Sequence, residues 1–182
     1  YLSNDFSPFF LWTKRGILFR VMGKDKSHTT AAIRVLREMS VSFTDHPYTY
    51  VEKGGTKTVA REYGVDEHRV IKTLIMEDDE KRPLIVLMHG DCEVSTKELA
   101  RLVGVKRIQP CDPAVAQKHS GYMVGGTSPF GTRKSMKVYM ERTILDLPVI
   151  FVNGGRRGLL VCLDPREAER VLKPILVTVA LR

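Results

Sequence analysis

The residues best suited to chemistry in this sequence are a glycine-rich stretch and a lysine well upstream of it. Ser120-Gly-Tyr-Met-Val-Gly-Gly-Thr-Ser-Pro-Phe-Gly131 places four glycines in twelve residues, interleaved with Thr127 and Ser128. Glycine gives no side-chain burial and costs backbone entropy, so it collects where backbone must bend or come close to a ligand. A Gly125-Gly126-Thr127-Ser128 turn offers backbone N–H groups and two hydroxyls to a carbonyl or phosphate oxygen, and Pro129 stiffens its exit. The same composition also suits a tight hairpin that binds nothing. Lys72, in Val70-Ile-Lys-Thr-Leu-Ile-Met76, heads a predicted strand of aliphatic and β-branched residues, with Thr73 on the opposite face. A lysine there either opens to solvent at a strand end or points into a cleft. Asn153-Gly-Gly-Arg-Arg-Gly158 adds a second glycine turn followed by Arg156 and Arg157, readable as a solvated basic turn or as a phosphate clamp.

In this order, Lys-Thr-Leu, Gly-Tyr-x-x-Gly-Gly-x-Ser-Pro-x-Gly and Gly-Gly-x-Arg-Gly resemble the YbaK/EbsC family, the free-standing relatives of the editing domain inserted in prolyl-tRNA synthetases. The resemblance runs from about Lys26 to about Leu176. It implies a trans-editing deacylase that hydrolyses the ester of a small mischarged amino acid, cysteine or alanine, on tRNA, with tRNA-Pro foremost. It implies Lys72 and the loop Gly125, Gly126, Thr127 and Ser128 as catalytic, the loop through its backbone N–H groups. His46, Tyr48, Thr73, Gly154 and Gly155 match pocket positions, and Asp146 matches an acidic position that would pair with the substrate α-ammonium. Arg156 and Arg157 would clamp acceptor-stem phosphates. Aminoacyl-tRNA is the implied partner, with prolyl-tRNA synthetase in a ternary complex, no membrane, no cofactor and a cytoplasmic setting. Where some members carry an aromatic before the helix opened by Thr56, this chain has Gly54-Gly55; if that position lines the side-chain pocket, the pocket is expected to be roomier or shaped by other residues. A non-catalytic tRNA- or nucleotide-binding module associated with a synthetase is the alternative reading.

Other chemistries find less support. An aminoacyl ester is already activated, so its hydrolysis needs positioning of water and oxyanion stabilisation rather than a nucleophilic triad. Ser128 lies in Gly-Thr-Ser-Pro, not in a Gly-x-Ser-x-Gly elbow. Cys92, Cys111 and Cys162 are odd in number and widely spaced, with no Cys-x-x-Cys, and read as buried thiols. The five histidines are scattered, so no metal site is expected.

These residues must be carried by one domain of 182 residues, with a net charge of +8 that favours polyanionic partners. Met22-Gly-Lys-Asp-Lys reads as a natural start, so residues 1–21 are expected to be a non-native or flexible arm and residues 22–182 the domain. Helical periodicity covers Ser27 to Ser40, and Val41 to His46 alternates as a half-buried strand. Thr56 to Tyr63 reads as a helix stopped by Gly64. Strands follow at Ile71–Met76 and Leu84–Met88, and later around Lys137–Tyr139 and Val149–Val152, with Asp146 in a strand-like run. Ser95-Thr-Lys-Glu98 is a capping box, and Asp112-Pro113 and Asp164-Pro165 each open a helix. Strands and helices without regular βαβ alternation predict an α+β fold. The resemblance adds a single compact domain with a curved, barrel-like mixed sheet ringed by helices.

Overall fold

The computed structural model describes residues 10–12, 18–20 and 29–181. In chain order its elements are β1 (Phe10–Trp12), β2 (Leu18–Arg20), α1 (Ala31–Glu38), β3 (Phe43–Pro47), α2 (Gly55–Tyr63), β4 (Val70–Asp78), β5 (Pro83–His89) and β6 (Glu93–Val94). They continue with α3 (Thr96–Val103), β7 (Ile108–Pro110), α4 (Pro113–Ser120), β8 (Lys137–Glu141), β9 (Ile150–Asn153), β10 (Leu159–Leu163), α5 (Pro165–Leu172), β11 (Ile175–Val177) and β12 (Ala180–Leu181). Short 3-10 turns at Glu67–Arg69 and Arg142–Asp146 lead into β4 and out of β8. Within the first 21 residues, β1 and β2 pair as an antiparallel ribbon. Ser27 and His28, at the start of the expected first helix, lie outside the described residues.

The helix starts follow the sequence chemistry closely. Thr30 Oγ1 caps α1 by accepting from Ile33 N, and Ser95 Oγ accepts from Glu98 N at the head of α3. Asp164 caps α5, whose first residue is Pro165. Gly64 ends α2 with φ 62°, a left-handed conformation that glycine adopts without a Cβ clash.

An eight-stranded mixed sheet runs β11-β8-β5-β4-β9-β10-β3, with β7 added beside β4. The fold is α+β, and the sheet stays open, with β11 and β3 as its two outer strands. β5 is buried from Leu84 to His89, so it reads as a continuous aliphatic run rather than an alternating one. β10 is buried at all five positions for the same reason. Between them, β4 is the strand on which the two halves of the sheet meet, paired antiparallel with β5 and parallel with β9.

That second pairing is short. The β4–β9 ladder covers Val70↔Phe151 and Ile71↔Val152, and the β4–β7 ladder begins at Met76↔Pro110. Cys111 N donates to Ile75 O across the near end of this gap. Backbone groups alternate sides along a strand, so Thr73, two residues before Ile75, presents its N–H and C=O to the same unpaired edge. The sheet therefore has a notch in its middle strand.

Candidate active site

The notch opens into a cleft of about 940 Å³. Because it follows a strand edge, residues from both faces of β4 reach it, Lys72 and Leu74 from one and Thr73 and Ile75 from the other. Tyr48, Thr56, Gly125, Thr127, Asn153 and Arg157 complete much of the polar wall. Pro110, Cys111, Pro113 and Ala116 close the apolar end.

Lys72 is half-buried, and its ammonium donates to the Cys92 carbonyl at 2.5 Å. An ammonium has three N–H donors, so two remain for another acceptor. The Thr73 hydroxyl is buried against the cleft with no hydrogen-bond partner among the described residues. A buried hydroxyl without a partner is costly, and a ligand acceptor placed in the notch would satisfy it.

The two glycine turns lie against one another at the mouth of the cleft. Asn153 holds them together: its Nδ2 donates to Gly125 O at 3.1 Å and its Oδ1 accepts from Gly155 N at 2.8 Å. Arg157 Nε donates to Val124 O at 2.9 Å, while its guanidinium lies 4.7 Å over the Tyr50 ring. Gly125 sits at φ +84°, with Tyr50 where a side chain would stand. At Gly126 a Cβ would come within 2.7 Å of Arg157 N and 2.9 Å of the Arg156 carbonyl carbon. The close approach that requires glycine at position 126 is thus to the second turn of the protein itself.

The expected site residues divide. Lys72, Thr73, Tyr48, Gly125, Thr127 and Arg157 meet at the cleft, whereas His46, Gly126, Ser128, Asp146, Gly154, Gly155 and Arg156 are not part of its lining. The Gly126 N–H donates to Met123 O at 2.9 Å and so closes its own turn. Ser128 is fully buried, and its Oγ accepts from Phe130 N at 3.3 Å. His46 packs edge-on to Tyr63 and Phe151, its Nε2 lying 2.8 Å from Thr44 Oγ1, and burial lowers its pKa. Gly154 and Gly155 form the β9–β10 hairpin, where Gly154 N donates to Leu159 O. A Cβ on Gly155 would meet the Tyr122 ring at 2.9 Å. Asp146 is exposed at the end of a 3-10 turn rather than in a strand, because the chain must turn there before Pro148 and β9. The carboxylate that does line the cleft is Glu52.

Sequence reasoning assigned no role to Asn153, Tyr50 or Thr56, and it expected no ligand-type cluster beside a cysteine. His68, Asp91 and Cys92 in fact each bring one ligand-type atom to within 4.8 Å of the others. Spacing could not reveal this, since β4 and β5 separate His68 from Asp91 and bring them together only by pairing. In the structure these groups hydrogen-bond to one another, with Asp91 Oδ1 2.8 Å from His68 Nδ1 and 3.5 Å from Cys92 Sγ. Burial pushes the other two thiols, Cys111 and Cys162, up to about 11, which favours the protonated form at neutral pH. Gly54 caps α2 and Gly55 begins it; a Cβ on Gly55, which lines the cleft, would meet nothing within 4 Å, whereas one on Gly54 would lie 2.9 Å from Thr58 Oγ1 and 3.1 Å from Val51 O.

A notched mixed sheet with a tethered lysine beside the notch and paired glycine turns at the mouth of the cleft defines an α+β domain with one large, partly polar cleft. Residues 53–171 match the aminoacyl-tRNA editing domain family, and the chain belongs to that family. It is 27% identical over 146 residues to EbsC of Enterococcus faecalis, named as a candidate Cys-tRNA(Pro)/Cys-tRNA(Cys) deacylase, covering 79% of this chain and 89% of that protein. It is 24% identical over 122 residues to the proline–tRNA ligase of Brachyspira hyodysenteriae, covering 65% of this chain but 21% of the ligase. Among solved structures, a candidate trans-editing enzyme for prolyl tRNA synthetase superposes with TM-score 0.73 at 19% identity, over 86% of this chain and all (100%) of that one. The hypothetical protein APE2540 superposes with TM-score 0.77 at 20% identity, over 84% of this chain and 100% of that one. Among the described residues no helix is long and apolar enough to cross a membrane.

Proposed function

We propose that this protein hydrolyses, in trans, the ester linking a small mischarged amino acid to the 3′ end of tRNA, with cysteine or alanine on tRNA-Pro as the leading substrates. The observation that carries this reading is the meeting of Lys72, Thr73 and the Gly125 turn in one cleft of a chain that belongs to the editing-domain family. The two remaining Lys72 donors bind the ester carbonyl and strengthen their hold as negative charge develops on it. The Thr73 hydroxyl and the unpaired Thr73 N–H offer further donors to the substrate at the notch. The Gly125–Thr127 turn and Asn153 set the wall against which the ribose lies, and water attacks a carbonyl that is already activated. In this reading Glu52, exposed in the cleft lining, meets the α-ammonium in place of Asp146.

A cleft of about 940 Å³ is far larger than a cysteine or alanine side chain, so it holds the terminal nucleotide as well as the amino acid. Discrimination among small side chains by shape is worth about 1–3 kcal/mol per methylene, which predicts broad activity on small residues. The test is incubation of the purified protein with a panel of radiolabelled aminoacyl-tRNAs. Cysteine and alanine esters should disappear faster than their spontaneous hydrolysis. Survival of every small-residue ester at its spontaneous rate would overturn the reading.

A further inference from the structure

Three residues after β5, Gly90–Cys92, decide where the Lys72 ammonium stands. The Cys92 carbonyl accepts from Lys72 Nζ at 2.5 Å, so any movement of this loop moves the charge. The loop is held from several directions. A Cβ on Gly90 would lie 2.5 Å from Glu67 O and 2.8 Å from Val70 O, so the loop rests directly on the 3-10 turn before β4. Thr56 Oγ1, in the first turn of α2, lies 2.7 Å from Glu67 Oε1 and 3.2 Å from Gly90 O. Asp91 Oδ1 accepts from His68 Nδ1 at 2.8 Å. The His68 ring lies flat on His89, with centroids 3.6 Å apart and planes 8° apart. His89 Nδ1 donates to His68 O at 2.8 Å, and its Nε2 lies 2.8 Å from Thr143 Oγ1.

A carbonyl and a carboxylate can only accept, so these contacts fix the proton on Nδ1 of both imidazoles. The result is one connected path from the sheet interior at His89, through His68 and Asp91, to the backbone acceptor of Lys72. A lysine in a wide cleft has four rotatable bonds and no preferred site of its own, and the path supplies one.

We propose that Asp91 and His68 are positioning residues for Lys72: their pairing pins the Gly90–Cys92 loop, and the pinned Cys92 carbonyl aims the ammonium into the notch. This rests on the reading of Lys72 as the cation that meets the substrate carbonyl, but half of its test does not. The first measurement is the rate of reductive methylation of each lysine in the tRNA-free protein, read by mass spectrometry. Asp91→Ala should raise labelling of Lys72 several-fold relative to exposed Lys118, while Asp91→Asn, which keeps an oxygen for the imidazole N–H, should stay near wild type. Unchanged Lys72 labelling in a folded Asp91→Ala protein overturns the proposal whatever the enzyme does.

The second measurement is deacylation by Asp91→Ala, Lys72→Ala and the double variant. Asp91→Ala should lower kcat by about 10- to 100-fold with KM within twofold, the cost of a group displaced by about an ångström. Asp91→Asn should recover most of that loss, and the double variant should be no slower than Lys72→Ala alone. Losses that multiply in the double variant would mean that Asp91 acts independently of Lys72, and the proposal fails. If the wild-type protein deacylates nothing, the functional reading falls while the labelling experiment still decides the positioning role.

Discussion

Lys72 is a half-buried charge in an otherwise largely aliphatic strand, and among the described residues its ammonium is met by a main-chain carbonyl, not by a carboxylate. A carbonyl orients the charge without neutralising it, which leaves the cation available to a developing oxyanion. Lys72→Ala should therefore lower deacylation by about 100- to 1,000-fold, the cost of one oxyanion contact. The fold should survive, because one hydrogen bond is worth about 1 kcal/mol and a domain of this size loses about 2–4 °C of Tm for that. Near-normal turnover by the folded variant would remove Lys72 from the mechanism. The sequence made Lys72 and Thr73 legible because a charged and a hydroxyl residue stand in an aliphatic strand. At Ser128 it could not separate a serine that serves the backbone of its own turn, as the Oγ does toward Phe130 N, from one that serves a substrate.

At the scale of elements, the two glycine turns are one unit whose glycines serve different ends. Gly126→Ala must push the 123–127 turn away from the backbone of Arg156 and Arg157, where no flexible side chain can yield. We expect a loss of about 1–3 kcal/mol of stability, about 2–12 °C of Tm, with activity falling because the turns separate. Thr127→Ala, which removes a hydroxyl weakly bonded to Met123 O at 3.5 Å, should melt near wild type. Paired thermal melts and rates check this: a Gly126→Ala protein as stable as the parent would show that the turns are not packed as described. Helix starts were readable where capping is local chemistry, as at Ser95 and Asp164, whereas the first helix, expected from Ser27, begins at Ala31 behind Thr30. β10 was not singled out, although Leu159-Leu-Val-Cys-Leu163 between Gly158 and Asp164 carries the signal of a fully buried strand. β7 and β11, three residues each, have too little period to read. The His68–Asp91 contact and the Asn153 bracket arise from sheet pairing, which no local pattern encodes.

For the molecule as a whole, charge and burial make two claims that can be measured. Burial lowers the pKa of His89, His119 and His46, so each is harder to protonate in the folded state. Their contribution to stability is complete above the unfolded histidine value of about 6.5 and is lost as pH falls through the lower folded values. Hydrogen bonds from Lys81 and Gln109 hold Glu77 below its usual range. Burial opposes ionisation of Asp78, but its bonds to Arg82 and to the Glu80 N–H outweigh that and lower it too. Their contribution is present above about pH 4 and is lost below it. Melting temperature should thus hold steady from pH 8 to about 6.5, decline through the histidine range and fall again below about pH 4; a flat profile from 7 to 5 would contradict the histidine part. The net charge of +8 predicts tRNA binding whose logarithm falls linearly with the logarithm of salt concentration, whereas hydrolysis of a simple aminoacyl ester should barely respond. The notch in β4 has its own signature in exchange with heavy water. An amide in the middle of a central strand normally exchanges among the slowest in a protein, yet Thr73 N–H, flanked by the paired ends at Ile71 and Met76, has no ladder partner on its side. It should exchange fast in the empty protein beside slow neighbours, and slow down when a non-hydrolysable aminoacyl-adenosine takes the place of the absent strand.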